Sequence, residues 1–256
     1  MGPHVRSLVA GELAAWRVAV ALMGVTGEVR EALAWLEKAS TRRDLANLER
    51  FGITATRPFG VSMANLQILA KRLGRHHDLA AALWKTGRYE ARMLAALVEE
   101  PARVTPTQMD RWCRDFDNWG ICDTVCICLF DRTPYGFGRV KVWATRRDEF
   151  VKRAAFALLA GLALHDKEAG DESFVRCLPL VEAASSDERN FVKKAVNWAL
   201  RAIGRRNVNL HAEALAVARR LSDAADASPR WIGKGALREL TSPVVMRKLA
   251  GRPRAR

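Results

Sequence analysis

The chain is poor in residues that interrupt helices, and it lacks the pattern that predicts strands. Its 256 residues include only 9 prolines and 17 glycines. No segment of useful length alternates apolar and polar residues as a half-buried strand does. Hydrophobic residues make up 49% of the chain, which is enough for a packed core, and alanine, leucine and arginine are abundant. This composition is typical of helices and predicts an all-α protein.

Long apolar runs are also missing. The run Val18–Leu22 is too short to cross a bilayer, and no small-residue cleavage site typical of a signal peptide is evident near it. We therefore expect no membrane partner and a cytoplasmic protein.

Cysteine pairs with metal-binding spacing are absent as well. The five cysteines include no Cys-x-x-Cys pair. Cys122 and Cys126 fall on one helical face together with Val125 and Leu129, as small core residues do. The odd number of cysteines favours a reducing compartment. We expect neither a metal site nor a cofactor.

Acidic residues are the minority charge. Lys and Arg number 42 against 28 Asp and Glu, which gives a net charge of +14 and a pI near 10.3. Such an excess suits a protein that binds a polyanion, most simply nucleic acid. A highly charged, solvated surface without a polyanionic partner is the alternative.

Short blocks of similar pattern recur along the chain, each a charged residue followed by an apolar helical stripe. Their first residues, here called the anchors, are Arg92, Asp123, Arg153, Lys194 and Lys234. The anchors are separated by 31, 30, 41 and 40 residues, a spacing that accommodates two helices and two turns. This period predicts a HEAT-like helical-repeat solenoid, a curved array of antiparallel helix pairs. Equivalent positions would then line up as a mostly basic row interrupted by Asp123, although the anchors could also simply flank buried helices.

The repeat pattern also suggests the domain organisation. We expect a single HEAT-like repeat domain over residues 26–249. Residues 1–25 are a weakly specified N-terminal segment, and residues 250–256 form a basic tail that we expect to be disordered.

One pair of residues within these blocks suits a chemical site. Trp119 and Asp123 are four residues apart, so they share one face of a helix. An indole face attracts positive charge and a carboxylate adds to that attraction, so the pair suits a cationic ligand. Asp115 lies four residues before Trp119, so helical phase alone also leaves Asp115 open as the acidic residue, whereas Asp117 is out of phase.

Several segments resemble the AlkD-like DNA alkylation repair glycosylases, a bacterial family of HEAT-like repeat proteins. The resemblance covers roughly residues 27–245. It rests on Phe51-Gly-Ile, on Trp119 with Asp123, on the segment from Trp143 through Arg153-Ala-Ala, and on Phe191-Val-Lys-Lys-Ala-Val-Asn-Trp198-Ala-Leu-Arg201. By itself, Trp143 is better interpreted as a packing residue.

The resemblance implies a monofunctional DNA glycosylase that hydrolyses the N-glycosidic bond of cationic alkylated purines, such as N3-methyladenine and N7-methylguanine, in duplex DNA. It selects Asp123 rather than Asp115 as the catalytic carboxylate, which would stabilise an oxocarbenium-like sugar and position water. Trp119 would contact the sugar or the cationic base, and Arg153 would hold a flanking phosphate.

The same resemblance implies association with the bacterial nucleoid and a DNA-binding surface without a deep base-flipping pocket. Its predicted DNA contacts are Trp198, Arg201, Arg205, Lys193, Lys194 and Lys152. We expect a monomer. Two alternatives stay open: a helical-repeat protein that binds DNA or branched DNA without catalysis, and a scaffold for protein interactions.

Overall fold

A computed structural model describes residues 24–251 of the chain. Residues 1–23 and 252–256, which hold most of the predicted N-terminal segment and basic tail, lie outside the described residues. The chain divides into two compact units, the first ending at Val104 and the second beginning at Thr105. Both units fall largely within the predicted 26–249 domain, whose boundaries stay a prediction.

The first unit consists of five α-helices and a short 3-10 helix within the described residues. They are α1 (Gly24–Lys38), α2 (Arg42–Arg50), α3 (Met63–Leu73), α4 (His77–Lys85), α5 (Tyr89–Val98) and the 3-10 turn Pro101–Arg103. Helix α5 packs against α3 and α4, and α4 packs against α1.

A buried carboxylate holds the loop between α2 and α3. Glu90 of α5 is fully buried and accepts hydrogen bonds from three consecutive backbone N–H groups of residues 59–61, at 2.7–3.2 Å. The central residue, Gly60, has φ +80°, and a Cβ there would lie 2.4 Å from Cγ of Leu45. Glycine is therefore required at this turn.

The second unit contains ten α-helices and one 3-10 turn within the described residues. They are α6 (Pro106–Arg114), α7 (Trp119–Cys128), the 3-10 turn Phe130–Arg132, α8 (Gly136–Trp143), α9 (Glu149–His165), α10 (Asp171–Val175), α11 (Leu178–Ala184), α12 (Asn190–Gly204), α13 (Val208–Ser222), α14 (Ala227–Leu240) and α15 (Pro243–Ala250).

In the second unit, helices α7, α9, α12 and α14 are the second members of consecutive helix pairs, and each contacts the next one along the chain. Helix α7 packs on α9, α9 on α12, and α12 on α14, while α8, α11 and α13 each contact the second helix of their own pair. The described residues contain helices and no strand, so the predicted all-α, HEAT-like repeat fold is confirmed.

The anchors found in the sequence all lie in second helices. Arg92 lies in α5, and the other four lie in α7, α9, α12 and α14. The interval between Arg153 and Lys194 is 41 residues long because two short helices, α10 and α11, precede α12, whereas the single helix α8 precedes α9.

Helix α9 is the centre of the second unit. It is the longest helix of the described residues, at 17 residues, and its stretch 154–160 is fully buried. A helix that is apolar on nearly all sides must be covered on nearly all sides, and α9 contacts α6, α7, α8 and α12. No helix within residues 24–251 has the length and hydropathy needed to cross a membrane.

Candidate functional site

Helix α7 places Trp119 and Asp123 on one face, as their spacing predicts. The helix begins at Trp119 because the Asn118 side chain caps it, with Oδ1 accepting the Ile121 N–H at 3.0 Å. Trp119 and Asp123 are both partly exposed. The aromatic and the carboxylate therefore flank a common, accessible patch one helical turn long.

Two of the three cysteines of α7 lie on its buried side. The thiols of Cys122 and Cys126 donate to the carbonyl oxygens of Phe150 and Ala154 in α9, at 3.7 and 3.6 Å. Both cysteines are fully buried, and burial raises the pKa of the Cys126 thiol well above its ordinary value. These contacts fix α7 against α9, as core cysteines do.

The other two aspartates near Trp119 lie outside α7. Helix α6 ends at Arg114 and Asp115 is its C-terminal cap, so the helical phase that links Asp115 to Trp119 in the sequence does not apply across the break. Asp117 is exposed and accepts a hydrogen bond from the Asn118 amide at 2.7 Å. Asp123 alone of the three shares a helix with Trp119.

Asp123 forms a bidentate ion pair with Arg153 of α9. Nε of Arg153 lies 2.9 Å from Oδ1 of Asp123, and Nη2 lies 2.7 Å from Oδ2. The two side chains are only 16% and 8% exposed, respectively. The Nη1 group of Arg153 donates to the Phe191 carbonyl at 2.7 Å, so this guanidinium joins α7, α9 and α12.

Burial and the ion pair act in opposite directions on Asp123. Burial is the larger effect and raises the pKa of the Asp123 carboxyl above its ordinary value, and the charge and hydrogen bonds of Arg153 offset that rise only in part. Burial would lower the pKa of Arg153, but the charge and hydrogen bonds of Asp123 raise it. The guanidinium is thus firmly protonated and holds the carboxylate in one orientation.

This geometry bears on the phosphate contact expected of Arg153. Three of its five N–H groups are used by Asp123 and Phe191, and the residue is only 6% exposed. The arrangement favours a guanidinium that orients Asp123 and leaves two N–H groups for any further ligand.

Half of the predicted DNA contacts form ion pairs within the protein. Lys152 binds Asp187 at 3.0 Å. Arg201 and Arg205 both bind Glu239, the latter at 3.1 Å. One carboxylate between two guanidinium groups leaves that cluster positively charged.

The remaining predicted contacts lie along α12. Lys193 is partly exposed and its Nζ lies 5.3 Å from the ring centroid of Trp231. Lys194 is exposed, and Trp198 is half-buried. Helix α12 therefore carries four of the six predicted DNA contacts and Arg205 caps its C-terminus, while Lys152 lies on α9, which packs against α12.

Trp143 has the packing role predicted for it. It is 2% exposed, its ring lies 5.9 Å from that of Phe130, and its Nε1–H donates to Asp110 at 2.8 Å. It does not reach the Asp123 patch through any of these contacts.

A row of aromatic residues at equivalent repeat positions was not predicted from the sequence. An aromatic residue stands three or four positions before every anchor, one turn earlier in the same helix. These residues are Tyr89, Trp119, Phe150, Phe191 and Trp231. Aligning the five blocks one turn upstream of their anchors would have revealed the row.

In the second unit, neighbours in this row interact with each other and with cations. The rings of Phe150 and Phe191 are 5.5 Å apart. The Arg153 guanidinium lies 6.0 Å from the Phe191 ring centroid. Trp231 is 47% exposed. The second helices thus present aromatic rings interleaved with basic groups, a surface composition suited to nucleic acid.

Residues 32–240, which include every predicted site residue, match a family model described as DNA alkylation repair enzyme. The chain belongs to the DNA alkylation repair enzyme family. The family model matches from within α1 to the end of α14.

A solved structure has the same fold. It is described as a new family of proteins related to the HEAT-like repeat DNA glycosylases, with affinity for branched DNA structures. The similarity has a TM-score of 0.68 at 19% identity and covers 82% of this chain and 94% of that one. A designed armadillo repeat protein bound to a (KR)4 peptide is similar only at a TM-score of 0.32, with 15% identity over 73% of each chain, which is too low to support an argument. No curated protein sequence matches the chain.

Proposed function

We propose that this family member is a monofunctional DNA glycosylase that hydrolyses the N-glycosidic bond of cationic alkylated purines in duplex DNA. The observation that carries the proposal is the Asp123 carboxylate, held in a bidentate pair by Arg153 and one helical turn from Trp119. Membership of the DNA alkylation repair family supports the substrate class.

The chemistry asked of the protein is modest because an N3- or N7-alkylated purine already carries a positive charge. When the bond from the sugar C1′ to the purine nitrogen breaks, its electron pair goes to the purine, which leaves as a neutral base. The positive charge moves to the deoxyribose as an oxocarbenium-like centre. Water then adds to C1′ and loses a proton, so no acid is needed to release the base.

Asp123 suits this positive charge. Each carboxylate oxygen has lone-pair capacity beyond the one bond it accepts from Arg153, and the side chain keeps 16% of its surface exposed. It would face the sugar, stabilise the developing charge and accept a proton from the attacking water. Trp119 would lie against the sugar or the cationic base, where cation–π attraction contributes about 0.5–2 kcal/mol.

Arg153 would act mainly on Asp123. It limits the rise that burial causes in the carboxyl pKa, which favours the ionised form, and by binding both oxygens it fixes their direction. Preorganised charge of this kind needs no reorientation during the reaction.

The basic surface would bind the DNA backbone. Lys193 and Lys194 would neutralise phosphates, as would the positively charged cluster of Arg201 and Arg205 around Glu239. Lys152 and Trp198 would contact the same strand region. Because each phosphate contact releases counterions, duplex affinity should fall steeply as salt is raised. We expect a monomer to bind the duplex.

The first test is release of 7-methylguanine and 3-methyladenine from methylated duplex DNA by the purified protein, followed by mass spectrometry. Released free base, with no strand cleavage, supports the proposal. Salt-sensitive duplex binding without base release would instead support a DNA-binding protein that lacks catalysis, the kind of affinity for which the solved relative is described. A flat salt response would contradict both.

A further inference from the structure

A second concave site lies between α12 and α14, and neither Asp123 nor Arg153 lines it. It is a groove of about 400 Å³ with Trp231, Lys234 and Arg238 of α14 on one side and Arg201 of α12 on the other. Asn197 donates from Nδ2 to the Ile232 carbonyl at 2.9 Å and so ties the two helices together beneath it. Gly235 allows the two helices to approach closely here, because a Cβ there would lie 3.1 Å from Nδ2 of Asn197.

The groove is positively charged. Its carboxylate, Glu239, is already bound by Arg201 and Arg205. Lys234 and Arg238 are exposed, and neither forms an ion pair with another of the residues that the structure describes. The groove therefore attracts an anion and repels a cationic ligand.

Trp231 makes the groove more than a phosphate site. It is the most exposed tryptophan of the described residues, at 47%, even though the Lys193 ammonium lies 5.3 Å from its ring centroid. The surrounding Lys and Arg side chains would suffice to bind a phosphate, so phosphate binding does not require the indole. A large exposed indole among cations instead matches a ligand that combines a flat apolar ring with negative charge, which is what a nucleotide offers.

The indole can stack only on a base that is not already stacked. In an intact duplex each base is covered by its neighbours, and a protein side chain outside the helix reaches only base edges, sugars and phosphates. An unpaired nucleotide exposes its ring face, and aromatic side chains bind that face regardless of sequence.

We propose that Trp231, with Lys193 beside its ring and Lys234 and Arg238 along the groove, is a stacking site for an unpaired nucleotide of a DNA strand that leaves the bound duplex. This inference rests on the DNA binding of the proposed function and adds a second contact to it. It gives the protein a preference for duplexes with a single-stranded extension over blunt duplexes.

The experiment is equilibrium binding by fluorescence anisotropy at one fixed salt concentration. The probes are a fluorescein-labelled blunt duplex and the same duplex with a single-stranded oligothymidine tail at either the 5′ or the 3′ end. Wild type should bind one tailed duplex more tightly than the blunt one. Trp231→Ala should lose about tenfold in affinity for that tailed duplex and keep its affinity for the blunt duplex.

Two variants control for folding and for unspecific loss of an exposed ring. Trp231→Phe keeps an aromatic face and should keep most of the tail preference. Tyr135→Ala removes another exposed aromatic, 38% exposed and adjacent to α8, and should leave the preference unchanged.

The outcomes separate this inference from the proposed function. If wild type binds no duplex of any kind, the DNA binding of the proposed function fails. If wild type binds the blunt duplex but shows no tail preference, or if Trp231→Ala loses affinity equally for both probes, the stacking site is refuted while the proposed function stands.

Discussion

Arg153→Ala removes the guanidinium that binds both oxygens of Asp123 and the carbonyl of Phe191. The carboxylate is left almost buried and unpaired. Removing one partner of a buried ion pair costs about 3–5 kcal/mol of unfolding free energy. Because Asp123 keeps 16% of its surface exposed, some solvation remains and we expect a loss near the lower limit, about 3 kcal/mol.

The pH dependence of this loss identifies its cause. Burial already raises the folded-state pKa of Asp123 in wild type and Arg153 limits that rise, so the variant has a still higher carboxyl pKa in the folded state. The pKa of an Asp carboxyl in the unfolded chain is about 3.9. When the folded-state pKa is higher, the free energy of unfolding falls as pH rises from the unfolded-state to the folded-state pKa, because the unfolded chain loses its proton first. The deficit of Arg153→Ala should therefore be greatest near pH 7 and should shrink as pH falls toward 4.

Urea unfolding of wild type, Arg153→Ala, Asp123→Asn and the double variant, each at pH 7 and pH 4.5, measures both effects. The double variant should be more stable than Arg153→Ala at pH 7, because no unpaired charge remains buried. A loss below about 1 kcal/mol, or one that does not change with pH, would refute the claim that Arg153 stabilises the charged form of the buried Asp123 carboxyl.

Other predictions concern packing and charge elsewhere in the chain. Glu90→Ala should cost at least about 3 kcal/mol, because the buried N–H groups of residues 59–61 lose their acceptor, and chemical denaturation should show a clearly milder loss for Glu90→Gln. Gly233→Ala should lower the melting temperature, since its Cβ would lie 2.2 Å from a backbone nitrogen at the end of α13, whereas Gly138→Ala, with nothing within 4 Å of its Cβ, should not. Hydrogen bonds from Arg189 and Lys152 lower the pKa of the Asp187 carboxyl, against the effect of burial. The ionised carboxylate therefore stabilises the fold above the unfolded-state pKa, and this contribution is lost as pH falls. In an acid titration, the difference in unfolding free energy between wild type and Asp187→Asn should narrow below about pH 4.

The fold was predictable from the sequence because helical periodicity is a local property. Each anchor lies in a second helix, because a charged residue followed by an apolar stripe is the pattern of a helix with one exposed turn and one buried face. Sequence spacing also indicated two helices per interval. It could not show that two short helices, α10 and α11, occupy the place of a single first helix before α12.

The site was predictable only within one helix. The spacing of Trp119 and Asp123 fixes their common face, but the pairing of Asp123 with Arg153 depends on how α7 and α9 are aligned, 30 residues apart in the chain. Asp115 could not be dismissed by phase alone, because phase presumes an unbroken helix and the chain breaks between α6 and α7.

For Trp231 the sequence gives the position but not the exposure of the side chain. Its position before an anchor was available in the sequence, but its exposure was not, because aromatic residues at equivalent repeat positions range from the buried Tyr89 to the exposed Trp231. The difference reflects which neighbours cover each ring.

The most direct test of the central claim compares Asp123→Asn with Asp117→Asn in single-turnover release of 7-methylguanine from methylated duplex DNA, with duplex affinity measured on the same preparations. Asp117 is the matched control, an exposed aspartate just before α7. We expect Asp123→Asn to abolish release while duplex affinity stays equal or improves, because one negative charge is gone. Asp117→Asn should release base at the wild-type rate. Release by Asp123→Asn at the wild-type rate would show that Asp123 is not the catalytic carboxylate.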